Sequence, residues 1–210
     1  MRYVLKLMPA ARKIAFIGSH SVRKTNAVHS FAAAVGRSGR SVEVGREVVR
    51  FNPLGRNEGA TAEAQLWTLM TQIQQELELR SSADVLVLDR AAVDNYAYFL
   101  RATGGTDDFD IRPLVKKWSQ TYDLYVRLRP DVPLKADGVR STNQRFRKEI
   151  EQLLDLLVPQ FIDDDHLVEL KASEITDTFD WSGLLEQLCG PLPEEQREPQ
   201  TTVFAPTLFD

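Results

Sequence analysis

Short apolar runs alternate along this chain with longer stretches of helical spacing. Ile14-Ala-Phe-Ile17 is a compact apolar run closed by Gly18, the pattern of a strand buried on both faces. From Thr25 to Val35 the apolar positions Val28, Phe31, Ala32 and Val35 recur at helical intervals, and Gly36 and Gly39 stop the pattern. Ser41–Val44 reads as a second strand, Pro53 with Gly55 to Gly59 as a loop, and Ala62–Leu79 as a long helix. Asp84-Val-Leu-Val-Leu-Asp89 is the clearest strand, closing on a carboxylate. A helix over Val93–Ala102 with Tyr96, Tyr98 and Phe99 follows, then a loop holding Gly104, Gly105, Asp107, Asp108 and Asp110. Strands over Leu124–Leu128 and His166–Leu170 flank an amphipathic helix over Ser141–Val158.

This alternation predicts an α/β fold with a central, mostly parallel sheet and helices on both faces. No repeat is visible. With 210 residues the chain has the length of one such domain, set here at residues 1–190. Residues 191–210, rich in Pro, Glu, Gln and Thr, are expected to be a loosely ordered tail. Its apolar pairs Val203-Phe204 and Leu208-Phe209 offer a contact for a protein partner, against the plainer reading of a frayed end. Met1 to Leu7 reads as a leader to the first strand or a short extra strand.

Composition narrows this only a little. A charged content of 27% and a formal charge of −4 exclude a basic, nucleic-acid-coating protein, while leaving room for a local basic patch. The single Cys189 allows no intrachain disulfide and lacks the companions of a zinc site. No apolar run nears the ~20 residues that span a bilayer. Cytoplasmic is the default compartment.

The chemistry begins after the first strand. Gly18, Ser19, His20, Ser21, Val22, Arg23, Lys24 and Thr25 stand between a strand and a helix, the setting of a phosphate loop. Such a loop wraps backbone N–H groups around phosphate oxygens at the positive end of a helix dipole. Lys24 would reach the β- and γ-phosphates, and the Thr25 hydroxyl would bind Mg²⁺. The usual pattern has glycine before the lysine, and Arg23 stands there instead. Glycine tolerates backbone angles poor for other residues and adds no Cβ near the phosphate. The competing reading is a chance Gly-x₅-Lys-Thr in a basic loop.

Asp89 ends its strand on the side where open α/β sheets place their chemistry. It could hold Mg²⁺ through water or take a proton from an acceptor hydroxyl, and Arg90 could steer phosphate or substrate. A strand-end Asp that caps the next helix is the structural alternative.

These residues carry a resemblance. Lys-Ile-Ala-Phe-Ile-Gly-Ser-His-Ser with Lys24-Thr25, and Glu47-Val-Val-Arg50 with Pro53 and Asn57, are its first pieces. Gln65-Leu-Trp67, Gln72 and Glu76 follow, then Asp89-Arg90 and Asp94-Asn95-Tyr96-Ala-Tyr98. Pro130-Asp131-Val-Pro133 and Asp137-Gly138-Val-Arg140 complete it. Over roughly Lys13 to Leu170 the chain resembles the P-loop ATPases and kinases related to the ribosylnicotinamide kinase domain of bacterial NAD-biosynthesis regulators. The Asp-Arg strand end is also similar to that of nucleoside and thymidylate kinases.

The resemblance implies a P-loop NTPase fold, ATP and Mg²⁺ at the first loop, and an acceptor held between Glu47, Arg50 and Asp89. It also implies a small helical lid bearing arginines. Arg140, Arg145 and Arg147 follow Asp137-Gly138. Arginine donors that close over a transferring phosphoryl group stabilise its spread charge. Arg140 is the lid candidate, Arg145 is balanced between nucleotide contact and helix surface, and Arg147 is read as surface, paired with Glu151. Arg23, and Asn26 in place of a common second Thr, depart from the family pattern.

Trp67, Tyr96 and Tyr98 are candidates for stacking on a ring, against the commoner role of core aromatics. His20 is expected to be an exposed spacer and His29 a surface residue. His166, after Asp163-Asp-Asp165, lacks a metal-ligand spacing. The reading is a phosphotransferase or ATPase with a nucleoside- or nucleotide-like acceptor. The alternatives are a nucleotide-binding switch with little turnover, and an enzyme disabled by Arg23.

Overall fold

A computed structural model describes residues 10–134 and 143–191. The extra strand at Met1 to Leu7, the lid residue Arg140 and the tail beyond Pro191 lie outside the described residues.

Five strands form one parallel sheet: β1 (Arg12–Ile17), β2 (Val42–Gly45), β3 (Val85–Asp89), β4 (Leu124–Arg129) and β5 (Leu167–Lys171). Their order is β2-β3-β1-β4-β5, so the chain reverses its direction of growth across the sheet beside β1. That crevice, outside the carboxyl ends of the strands, is where an open α/β sheet leaves room for a ligand. Phe16 is in register with Asp89, which brings the start of the phosphate loop beside the β3 terminus.

The central strands alternate their side chains between two apolar layers. Ile14, Phe16, Val85, Val87, Leu124 and Val126 face a layer with Phe31 and Val35 of α1 (Lys24–Arg37) and Trp181 before α6 (Ser182–Cys189). Ala15, Ile17, Leu86, Leu88 and Tyr125 face the other. There they meet α2 (Ala62–Leu79), α3 (Ala92–Ala102), α4 (Arg112–Ser119) and α5 (Gln144–Phe161). Burial on both faces explains why β1 and β3 read as unbroken apolar runs.

All five expected strands form, with ends shifted by one or two residues, and α2 has the bounds expected of it. Two helices, α4 and α6, were not expected. Each has eight residues, too few for a repeated period, and half of α4 is polar. α5 continues to Phe161, past Pro159, where the pattern had been stopped at Val158. Its N-terminus is fixed by Asn143, whose side chain accepts from the N–H groups of Arg145 and Phe146.

Candidate nucleotide and acceptor site

The loop between β1 and α1 has the backbone that a phosphate cradle needs. Gly18 sits at φ 137°, and a Cβ there would lie 2.6 Å from the Leu128 carbonyl oxygen, so β4 forbids any larger residue. Ser21 and Arg23 also have positive φ, 62° and 61°. Arg23 thus adopts the left-handed conformation for which glycine is usual, at the N-cap of α1. Its guanidinium turns aside and donates to the Ile175 carbonyl at 2.9 Å. The Val22 side chain is buried in the α1 layer, so this residue can offer a ligand only its backbone.

Lys24 is buried, and its Nζ donates to the carbonyls of Gly18 at 2.8 Å and Ser19 at 2.5 Å. One residue on, the Thr25 hydroxyl donates to Asp89 Oδ2 at 2.6 Å, while Asp89 Oδ1 is buried without a hydrogen-bond partner. A hydroxyl and a half-used carboxylate make a hard oxygen pair of the kind that suits Mg²⁺, which takes its remaining ligands from water and phosphate. Among the described residues no larger cluster of His, Cys, Asp or Glu offers a metal cage.

Two carboxylates fix the loop from behind. Asp94 of α3 is fully buried, with Oδ1 accepting from Gly18 N at 3.1 Å and Oδ2 from Ala91 N at 3.3 Å. Burial pushes its pKa up to about 6, against the pull of nearby Lys24 and Arg90 and the two N–H groups. Glu151 of α5 accepts from Ser19 N at 2.9 Å, and its other oxygen lies 3.4 Å from Arg127 of β4.

Beside the loop opens a recess lined by Glu47, Arg50, Arg90, His20, Asn95 and Tyr98, among others. Glu47 lies 2.6 Å from Arg50 and 3.5 Å from Arg90. Arg90 has a positive φ of 89°, a strained value for a residue with a side chain, and its N–H is held by the Phe16 carbonyl at 3.0 Å. Burial opposes its charge, but Tyr98, Glu47, Asp94 and Asp89 outweigh that and raise its pKa. The recess therefore keeps a permanently charged guanidinium. A second cleft is lined by Arg23, Asn26, Ser30 and the segment Ile175 to Asp177.

The sequence profile of the AAA domain family matches residues 13–161. The chain belongs to that family. No curated protein matches it in sequence. Among solved structures it is similar to NadR protein in complex with NAD and AMP-PNP, with a TM-score of 0.62, 18% identity, and coverage of 88% of this chain and 51% of that one. The chain therefore spans about half of that protein's length. Thymidylate kinase from Candida albicans gives a TM-score of 0.57 at 15% identity, covering 84% of this chain and 90% of that one. Deoxyadenosine kinase from M. mycoides with bound dATP gives 0.56 at 14%, covering 80% and 94%. At these identities the likeness establishes the fold, an α/β P-loop NTPase. The family and these neighbours support a nucleotide-binding function of the kinase or ATPase kind in general terms.

In this AAA domain chain the structure gathers most of the residues singled out from sequence. Gly18 to Arg23 form one loop that runs into Lys24 and Thr25 of α1, Thr25 meets Asp89, and Glu47, Arg50 and Arg90 line one recess. Two expectations change. His20 is buried, stacked on Phe146 at 5.2 Å between ring centroids, so it is no exposed spacer. Burial, then Lys24, Arg90 and Arg147, lower its pKa to about 3, and only Glu58 opposes them. Arg147 bonds the Val132 carbonyl and Gln144 instead of Glu151, whose oxygens are taken by Ser19 and Arg127. Arg145 is 88% exposed and paired with Glu149 at 2.8 Å, in keeping with the helix-surface side of its reading.

Tyr96 is a core aromatic whose hydroxyl donates to Asp107, Trp67 does not line the recess, and Tyr98 does. His29 is exposed, as expected, and His166 is exposed too. Sequence reasoning assigned no role to Asp94, Asn95 or Glu151. The first two stood within a quoted motif, a signal that marked the segment but not its use. Glu151 gave no signal, because it reads as one charge on an amphipathic helix.

Proposed function

We propose that the chain is an ATP- and Mg²⁺-dependent phosphotransferase acting on a small hydroxyl-bearing acceptor. The observation that carries this is that two residues of one phosphate loop line two separate clefts, His20 one and Arg23 the other. A simple ATPase or switch needs a single cleft for nucleotide. A second recess beside the phosphates supplies a bound acceptor and the proximity on which phosphoryl transfer depends.

In this reading the loop N–H groups and Lys24 hold the phosphate chain, and the cleft that Arg23 lines takes the base. Thr25 and Asp89 would hold Mg²⁺, which when bound neutralises phosphate charge. Asp89 does not line the acceptor recess and Glu47 does, so we assign proton removal from the acceptor hydroxyl to Glu47. Arg90, kept charged beside it, orients that carboxylate and faces the incoming phosphoryl group. Arg140, the lid candidate of the sequence, would close on the transferring group, and Arg145 stands outside the set.

The test is transfer of labelled γ-phosphate from ATP to a small acceptor. A labelled product beside ADP supports the reading. Release of inorganic phosphate alone, unchanged by any acceptor, reduces the chain to an ATPase or a switch.

A further inference from the structure

Glu76 of α2 is 1% exposed, and its carboxylate accepts four hydrogen bonds near the amino end of β1. Lys13 Nζ at 2.7 Å and Trp118 Nε1 at 2.8 Å reach Oε2. The Tyr122 hydroxyl at 2.6 Å and Gln72 Nε2 at 3.0 Å reach Oε1. Four donors on two oxygens describe an ionised carboxylate, because the acid form would have a proton of its own to place. Lys13 balances the charge. Such a buried pair is weak evidence for stability by itself, since packed apolar residues of similar size often serve as well.

The other partners of Glu76 reach onward to a turn of the candidate site. Gln72 Nε2 also donates to the Arg90 carbonyl at 3.4 Å, and the Tyr122 hydroxyl accepts from Ala92 N at 3.3 Å. Glu76 sets the sense of both bonds. With acceptors on either hand, the Gln72 amide must turn its NH₂ to them, and its oxygen is left buried without a partner. Burial, then the charge of Glu76, push the Tyr122 pKa well above its ordinary value. The hydroxyl therefore keeps its proton, gives it to Glu76 and turns a lone pair to Ala92 N.

That turn is strained. Arg90 has a φ of 89°, a conformation that persists only where the surroundings over-determine it. Arg90 N donates to the Phe16 carbonyl at 3.0 Å and Ala91 N to Asp94 at 3.3 Å. Gln72 and Tyr122 add two bonds more, so the backbone from Arg90 to Ala92 is pinned at four points. From it the Arg90 side chain enters the recess, its guanidinium 4.6 Å above the Tyr98 ring and 3.5 Å from Glu47.

Resting on the phosphotransferase reading above, we infer that Glu76 is a positioning residue for the transfer step: through Gln72 and Tyr122 it fixes the strained turn that aims Arg90 at Glu47 and at the phosphoryl group.

The test uses the full chain with labelled ATP and Mg²⁺ and a panel of nucleosides, nucleotides and sugars as acceptors. Tyr122→Phe and Gln72→Met should each lower kcat about tenfold or more, the loss that a small misplacement near the reacting atoms brings, with KM for ATP little changed. A lower melting temperature in either variant would not by itself tell positioning from support. An Arg90→Met background does. There no guanidinium is left to misplace, so Tyr122→Phe and Gln72→Met should lower the residual kcat no further. Amide exchange of the ligand-free chain reads the same geometry without activity. In Tyr122→Phe the Ala92 N–H should exchange faster, with the β1 amides unchanged. Unmoved kcat in both single variants, the same fold-loss in the Arg90→Met background, or Ala92 exchange no faster overturns this inference alone. Calorimetry with ATP separates the two levels. No ATP binding, or ATP bound without transfer to any acceptor, overturns the phosphotransferase reading and this inference with it.

Discussion

The Thr25 hydroxyl donates to Asp89 Oδ2 at 2.6 Å and so ties the first turn of α1 to the end of β3. The other Asp89 oxygen is buried and unpartnered, an expense that a bound cation would remove. Asp89→Asn keeps an acceptor for Thr25 but loses the charge. Turnover should fall on the order of 10²–10³-fold, with a raised Mg²⁺ requirement. A magnesium titration of the phosphotransfer rate measures this, and an unchanged Mg²⁺ dependence would remove Asp89 from the metal site.

Glu151 holds the Ser19 N–H from α5, 132 positions away in the chain. Glu151→Ala leaves that buried donor unpaired and takes one carboxylate from Arg127, which keeps Asp155 and Glu169. A loss of about 1–3 kcal/mol is expected in urea melts. Glu151→Gln, which still accepts from Ser19, should lose less. Equal losses in the two variants would show that the Ser19 bond is not what Glu151 contributes.

Arg23 stands in a glycine's conformation, at a cost of roughly 1–2 kcal/mol for the left-handed backbone. Its bond to the Ile175 carbonyl offsets part of that. Arg23→Gly relieves the strain and loses the bond, so stability should move by less than about 1 kcal/mol, whereas Arg23→Ala keeps the strain and should be the less stable of the two. The guanidinium and the Ile175 carbonyl it bonds line the cleft assigned to the base and not the phosphate cradle, so ATP affinity of Arg23→Gly should stay within about tenfold of the parent chain's. A gain of a hundredfold or more would identify Arg23 as a disabling residue.

His20 is neutral in the folded chain down to a pKa of about 3, while its ordinary value is 6.5. Unfolding therefore takes up a proton on His20 between these two pH values. Its contribution to stability is intact above 6.5 and declines as pH falls toward 3, by up to roughly 1.4 kcal/mol per unit. Replacing it by Phe, which can also lie on Phe146, removes that dependence. The parent chain should therefore lose stability relative to His20→Phe as pH drops through this window. A difference that stays constant with pH would place the imidazole in water.

The sheet was legible because its central strands are buried on both faces and leave apolar runs such as Ile14 to Ile17 and Val85 to Leu88. The phosphate loop was legible because Gly18, Lys24 and Thr25 sit at a fixed spacing between a strand and a helix. The recess was less so. Glu47 and Arg50 look like an ordinary surface pair until the path after β2 brings them to Arg90, and the resemblance alone singled them out. The burial of His20 depends on Phe146, more than a hundred residues later, and the anchoring of Ser19 depends on Glu151. Contacts made across such a distance in sequence carry no local pattern. Arg23 shows the converse, a visible departure whose backbone nevertheless takes the angles of the glycine it replaces.

The most direct measurement is a calorimetric titration of the chain with ATP and Mg²⁺, beside its Lys24→Ala variant. Saturable binding by the parent chain, lost in the variant while its melting temperature shows it folded, is the predicted result. Absence of binding by the parent chain, or binding that survives loss of Lys24 undiminished, would contradict the account.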